Sequence, residues 1–249
     1  MVETLLEIRG LKKRFGGIHA LTGVDLVLGR REIKCIIGPN GCGKSTLFNV
    51  LTGTLRADEG TAVFDGQNID RMPPHRISRL GIGRKFQVPG VLSELTVMEN
   101  LEAACVARTT AGGLWGTLFS SGDGPGYWQH LRDAGLSGYA EQTASELPHG
   151  IKQRLEILML VARGCRLLLL DEPTAGMTAT ETAATIDLIR RINADSGAAI
   201  LVIEHDMSFV RDIARPVAAM IRGTIVREGS YEDIQSDPEV RAAYLGDRS

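Results

Sequence analysis

Gly38-Pro39-Asn40-Gly41-Cys42-Gly43-Lys44-Ser45-Thr46 lies between an apolar run, Ile33 to Ile37, and a segment whose Leu47, Phe48, Val50 and Leu51 recur at helical spacing. A Gly-rich loop leading from a strand into a helix is the arrangement that holds a nucleoside triphosphate. Its glycines let the backbone turn N–H groups inward around a β-phosphate, and the helix N-terminus adds partial positive charge. Lys44 is placed to neutralise the β- and γ-phosphates, and the Ser45 hydroxyl to ligate Mg²⁺. The competing account is a Gly-rich turn that merely precedes a helix. The strand and helix on either side count against it.

A second stretch, Leu167-Leu168-Leu169-Leu170-Asp171-Glu172-Pro173, delivers two carboxylates at the C-terminal end of an apolar strand, where ligands of open α/β sheets collect. Their order assigns Asp171 to Mg²⁺, directly or through water. Glu172 faces the γ-phosphate as general base toward the attacking water. Without the phosphate loop these residues would read equally well as a solvated strand end. With it, the two stretches support one site.

The rest of the chain bounds the possibilities. At 249 residues it accommodates one large α/β core with an insertion, and no second Gly-rich Lys-Ser motif is present. A formal charge of −2, with both signs interspersed, gives no general attraction to nucleic acid. Cys35, Cys42, Cys105 and Cys165 show no metal-ligand spacing, and no signal peptide precedes them, which fits a reducing cytoplasm. Apolar runs such as Ala198 to Ile203 fall far short of the roughly 20 residues that cross a bilayer.

The N-terminal third reads as strands over Leu5 to Leu11, Ala20 to Leu28, Glu32 to Ile37 and Thr61 to Phe64. Buried strands are expected at Leu167 to Leu170 and Ala199 to Ile203, alternating with helices in a mostly parallel sheet. Between them the pattern is helical: Thr96 to Arg108, Tyr127 to Ala134 and Gly150 to Arg163. Ala111 to Gly126, with six glycines and one proline, reads as a loop.

Taken together, these motifs resemble the ATP-binding subunit of an ABC transporter over essentially the whole length. The resemblance implies an α/β P-loop NTPase (RecA-like) core with an N-terminal antiparallel β subdomain and an inserted helical subdomain. The core would span 1–87 and 165–249, and the helical subdomain 88–164. ATP and Mg²⁺ are the implied cofactors.

Further residues take implied roles from the same likeness. Phe15, in Arg14-Phe15-Gly16-Gly17, matches the aromatic stacked on adenine, and a core aromatic at a strand end is an equal alternative. Gln87, in Gly83-Arg84-Lys85-Phe86-Gln87, matches the glutamine that touches Mg²⁺ or the water and reports γ-phosphate loss. His205, in Ile203-Glu204-His205-Asp206, matches the switch histidine that bonds the γ-phosphate. Ala175-Gly176-Met177-Thr178 takes the place of the loop through which two such domains touch.

Leu147-Pro148-His149-Gly150-Ile151 stands where the family usually has Leu-Ser-Gly-Gly-Gln, the segment that caps the partner's γ-phosphate. Pro148 has neither hydroxyl nor N–H, although it suits a first helical turn and Gly150 remains. One reading is a harmless helix start. The sharper one is that the site this chain completes on its partner is weakened. Cys42, beside Lys44 and a helix N-terminus, is expected to favour thiolate and to be protected from alkylation by ATP, or else to be simply a small loop residue.

The forms Arg84-Lys85-Phe86-Gln87 and Ala175-Gly176-Met177-Thr178, with Leu95 to Leu101, Glu204 to Val210 and the tail Asp237-Pro238-Glu239-Val240 with Tyr244-Leu245-Gly246, place the likeness in one importer branch. That branch serves branched-chain amino acids and urea or short amides. The first two segments are most similar to the urea-type ATPase, and a branched-chain amino acid importer is the alternative. Implied partners are transmembrane permease subunits docked near Val88, Pro89, Val91 and Leu92, a second ABC ATPase in a heterodimer or this chain itself, and, indirectly, a periplasmic solute-binding protein. The chain would sit in the cytoplasm on the inner face of the membrane. A non-transport ABC protein acting on nucleic acid or ribosomes is disfavoured by the single nucleotide domain. A kinase or GTPase is disfavoured by the Glu172 and His205 pair and by the lack of Asn-Lys-x-Asp.

Overall fold

The computed structural model of the chain describes residues 3–85, 90–111, 128, 131, 132, 134–213 and 216–245. Two sheets organise it. The smaller is antiparallel and contains β1 (Thr4–Phe15), β2 (Ile18–Gly29), β4 (Glu59–Phe64) and β5 (Gln67–Asn68), in the order β2-β1-β4-β5. Leu6, Ile8, Leu26 and Leu28 are buried while Glu7 and Val27 are not fully so, the alternation of a sheet with one covered face.

The larger sheet is ordered β10-β9-β3-β8-β7-β6. Its strands are β3 (Ile33–Ile37), β6 (Ile82–Lys85), β7 (Leu167–Asp171), β8 (Ala199–Ile203), β9 (Val217–Ile221) and β10 (Thr224–Gly229). From β9 to β6 all neighbours are parallel, and β10 closes the edge antiparallel to β9. Alternate residues of the central strands feed two cores. Leu168, Leu170, Ile200 and Val202 belong to one, and Leu167, Leu169, Leu201 and Ile203 to the other. A strand covered on both faces has no polar side to show, which is why β7 reads as an unbroken leucine run.

The helices are α1 (Lys44–Leu51), α2 (Pro74–Leu80), α3 (Val97–Ala111), α4 (His149–Ala162), α5 (Ala179–Ser196), α6 (Met207–Ile213), α7 (Tyr231–Ser236) and α8 (Pro238–Leu245). The α5 N-terminus is closed by a capping box in which Thr178 and Glu181 bond each other's backbone, a device worth about 1 kcal/mol. Core contacts of α4 run through Ile151, Leu155, Leu158 and Ala162 to the face carrying Leu168 and Leu170.

Element boundaries differ from expectation mainly at hairpins. β1 and β2 run to Phe15 and from Ile18, because a two-residue turn lets pairing continue to Phe15↔Ile18. The α3 helix reaches Ala111. The rest of the expected Ala111 to Gly126 loop, most of the Tyr127 to Ala134 helix, and Phe86, Gln87, Val88 and Pro89 lie outside the described residues, as does Gly246.

Candidate nucleotide site

The parallel order sets the C-terminal ends of β3, β8, β7 and β6 side by side. At those ends lie the phosphate loop, Glu204-His205, Asp171-Glu172 and Lys85, so four separate stretches share one rim.

In the phosphate loop, Gly38 and Gly43 are required by space. A Cβ at Gly38 would lie 2.1 Å from the Met220 carbonyl oxygen, and one at Gly43 would lie 2.4 Å from the Ala20 carbonyl oxygen. Gly43 caps α1 with φ 111°, a region that L side chains rarely adopt. The Lys44 ammonium is buried under the loop and donates to the carbonyl oxygens of Gly38 at 2.7 Å and Pro39 at 3.0 Å. Asn40, Gly41 and Ser45 are exposed, Pro39 and Thr46 partly so.

Cys42 corrects an expectation. It is buried with its sulfur 3.8 Å from Lys44 Nζ, and burial outweighs the neighbouring charge and pushes its thiol up, away from thiolate.

Asp171 is buried at the end of β7. Its Oδ2 accepts from Arg84 Nη2 at 2.9 Å, and Arg84 Nη1 donates to Asn49 Oδ1 of α1 at 2.5 Å. Asp171 Oδ1 has no hydrogen-bond partner. An orphaned carboxylate oxygen together with the exposed Ser45 hydroxyl at the start of α1 fits a divalent cation held partly by phosphate and water. No group of three or more His, Cys, Asp or Glu among the described residues forms a cation cage of its own.

Glu172 has φ 47°, unusual for a residue with a side chain, and its N–H donates to the Ile203 carbonyl at 2.9 Å. The kinked backbone turns its carboxylate toward His205, whose Nδ1 lies 3.6 Å from Glu172 Oε1. His205 is 60% exposed, free to meet a ligand above the rim. These two residues, distant in sequence, are thus brought together.

Glu204, quoted in the sequence but given no role there, organises this corner. It is buried, accepts from Thr174 Oγ1 at 2.7 Å on one oxygen and from the His205 N–H at 3.0 Å on the other. A single carboxylate therefore ties the loop after Glu172 to the histidine loop. The only sequence signal was an acidic residue ending an apolar strand. Lys85 was also missed. Its ammonium is fully buried on β6 without a hydrogen-bond partner, and burial lowers its pKa, opposed first by Glu156 and then by Asp171, Glu204 and Glu172.

Phe15 ends β1 at 44% exposure, with Lys13 Nζ 5.6 Å from its ring centre. It is not a core aromatic. The Pro148-His149-Gly150 segment does not bond the phosphate loop of its own chain. Pro148 is the N-cap of α4, the His149 ring lies 3.2 Å from the Ala175 carbonyl oxygen, and Gly150 packs so closely on Glu181 that a Cβ would meet its carboxylate at 2.7 Å. Gln87 lies outside the described residues.

Comparison with known proteins agrees with this geometry. The family model "ABC transporter" matches residues 21–175, and the model "Branched-chain amino acid ATP-binding cassette transporter" matches residues 228–249. The chain is 36% identical to the high-affinity branched-chain amino acid transport ATP-binding protein BraF of Pseudomonas aeruginosa, over 99% of this chain and 100% of that protein. It is 36% identical to the corresponding LivG of Escherichia coli, with the same coverage. A probable LivG of Archaeoglobus fulgidus is 32% identical over 97% of this chain and 95% of its own length. A crystal structure of the ADP conformation of an ATP-binding cassette of an ABC transporter matches with TM-score 0.83 and 31% identity, over 98% of this chain and 99% of that one. The relatives' names favour the amino acid alternative and lend no support to the urea-type likeness. The chain belongs to the ABC transporter ATP-binding family, in its branched-chain amino acid type, and is an ATPase coupled to transport.

Proposed function

We propose that this chain powers an importer of branched-chain amino acids. The observation that carries the reading is full-length similarity to amino acid transport ATP-binding proteins, extended by the separate match at residues 228–249. Lys44 and the loop amides of Gly38 to Thr46 grip the polyphosphate, and Phe15 stacks on adenine. Ser45, Asp171 and Gln87 would hold Mg²⁺, which would neutralise phosphate charge. Glu172 takes the proton of the attacking water, while His205, held at its side by Glu204, bonds the γ-phosphate.

The partner ATPase, a second kind of subunit or another copy, receives the Pro148-His149-Gly150 segment over its own nucleotide. Permease subunits dock on the helical subdomain, 88–164, where Leu92 is 48% exposed. No helix among the described residues is long and apolar enough to cross a membrane, so other subunits do the spanning. A solute-binding protein outside the membrane delivers the cargo.

Uptake tests this reading. Cells whose only copy carries Glu172→Gln should lose accumulation of radiolabelled leucine, isoleucine and valine while urea uptake is retained. The reverse pattern would return the assignment to urea.

A further inference from the structure

Tyr244, one residue from the end of α8, is where the C-terminal segment reaches the phosphate loop. Its ring is half-buried and its hydroxyl oxygen fully so. The hydroxyl lies beside the Gly38 amide, Cys42 and Cys35, yet it closes no hydrogen bond of normal geometry. Burial, the largest cause, pushes the phenol up to about 12, with Cys42 and Cys35 acting in the same direction and the Gly38 amide against it. The group is a neutral hydroxyl at physiological pH.

A buried hydroxyl without a partner is unfavourable and calls for a reason. Gly38 offers one. It is wedged between Met220 and Cys42, and its carbonyl accepts from Lys44. For Lys44 to reach a phosphate it must release that carbonyl, which frees the backbone at Gly38 to rotate, and the Gly38 N–H, on the preceding peptide group, already lies next to Tyr244. The ring is free to follow, because with Met207, Ile234, Gln235, Val240 and Arg241 it lines a cavity of about 310 Å³.

We propose that Tyr244 is a positioning residue of the phosphate loop, its hydroxyl accepting the Gly38 N–H when the loop closes on phosphate, so that the C-terminal helix favours the nucleotide-bound form. The role would give the 228–249 segment a part in nucleotide binding. It also predicts effects of opposite sign in two states. Without nucleotide the hydroxyl is a burden, and with nucleotide it is a contact.

The test is Tyr244→Phe in the full chain, titrated with a fluorescent ADP analogue and melted without nucleotide. The nucleotide Kd should rise about fivefold, the value of one neutral hydrogen bond, while the Tm of the free protein stays level or rises. Hydrogen exchange at the Gly38 amide in the nucleotide-bound protein should be slower in wild type than in the variant. An unchanged or lowered Kd overturns the proposal. So does a raised Kd accompanied by a lower Tm, or a variant that fails to fold, since either places the ring in ordinary packing.

Discussion

The phosphate loop and the Pro148-His149-Gly150 segment are both glycine-containing turns at the start of a helix, but their polar groups are directed differently. The loop at 38–46 is closed upon its own chain, with Lys44 beneath it, Met220 and Ala20 against its glycines and Arg84 linking Asn49 of the next helix to Asp171. The segment at 148–150 leaves Pro148 and His149 exposed, and the His149 ring meets only the Ala175 carbonyl and Gln153. One is braced within its own chain; the other is a surface presented outward. The contrast fits the proposed sharing of a site between two chains, because phosphate needs many convergent donors and those donors need a packed scaffold to hold them.

Four experiments would break or sharpen that contrast. The largest effect is expected from Glu172→Gln, which should slow ATP hydrolysis by about 10²–10⁴-fold while leaving nucleotide binding near wild type. Loss of both together would mean that Glu172 serves the scaffold instead of the water. Lys44→Ala should weaken nucleotide binding by on the order of 30- to 100-fold, the value of a charge-assisted contact, with hydrolysis falling in consequence. Retained affinity would show that the loop amides suffice.

Cys42 tests how closed the loop is. Since burial raises its thiol pKa, its thiolate fraction at pH 7 lies below that of a free thiol and grows as pH rises. Iodoacetamide labelling, followed at the Cys42 peptide, should therefore be slower than for glutathione at pH 7 and should accelerate toward pH 9. Labelling as fast as glutathione would mean that the loop opens readily. The smallest effect should come from Pro148→Ser, which returns a hydroxyl and an N–H to the outward segment and should raise turnover of the assembled transporter about threefold. An unchanged rate would assign Pro148 to helix initiation alone.

Much of this site was legible because its chemistry is local. The sequence 38–46 brings its own glycines, lysine and hydroxyl in one contiguous stretch, and Leu167 to Glu172 brings an apolar strand and its two carboxylates, so pattern and chemistry coincide. Local reading misled at Cys42, where the visible neighbour, Lys44, argues for thiolate and the invisible burial argues more strongly against it.

By itself the amino-acid sequence determined the fold class and the nucleotide, and it offered the groups proposed to handle phosphate, since the motifs at 38–46 and 167–172 are each contiguous along the chain. Only the tertiary structure decided how those groups are held. Arg84 reaches Asp171 across 87 positions, Glu204 joins Thr174 across 30, and His149 meets Ala175 across 26. Such pairings depend on strand order and packing, which bring distant residues together in space and which no short stretch of sequence encodes.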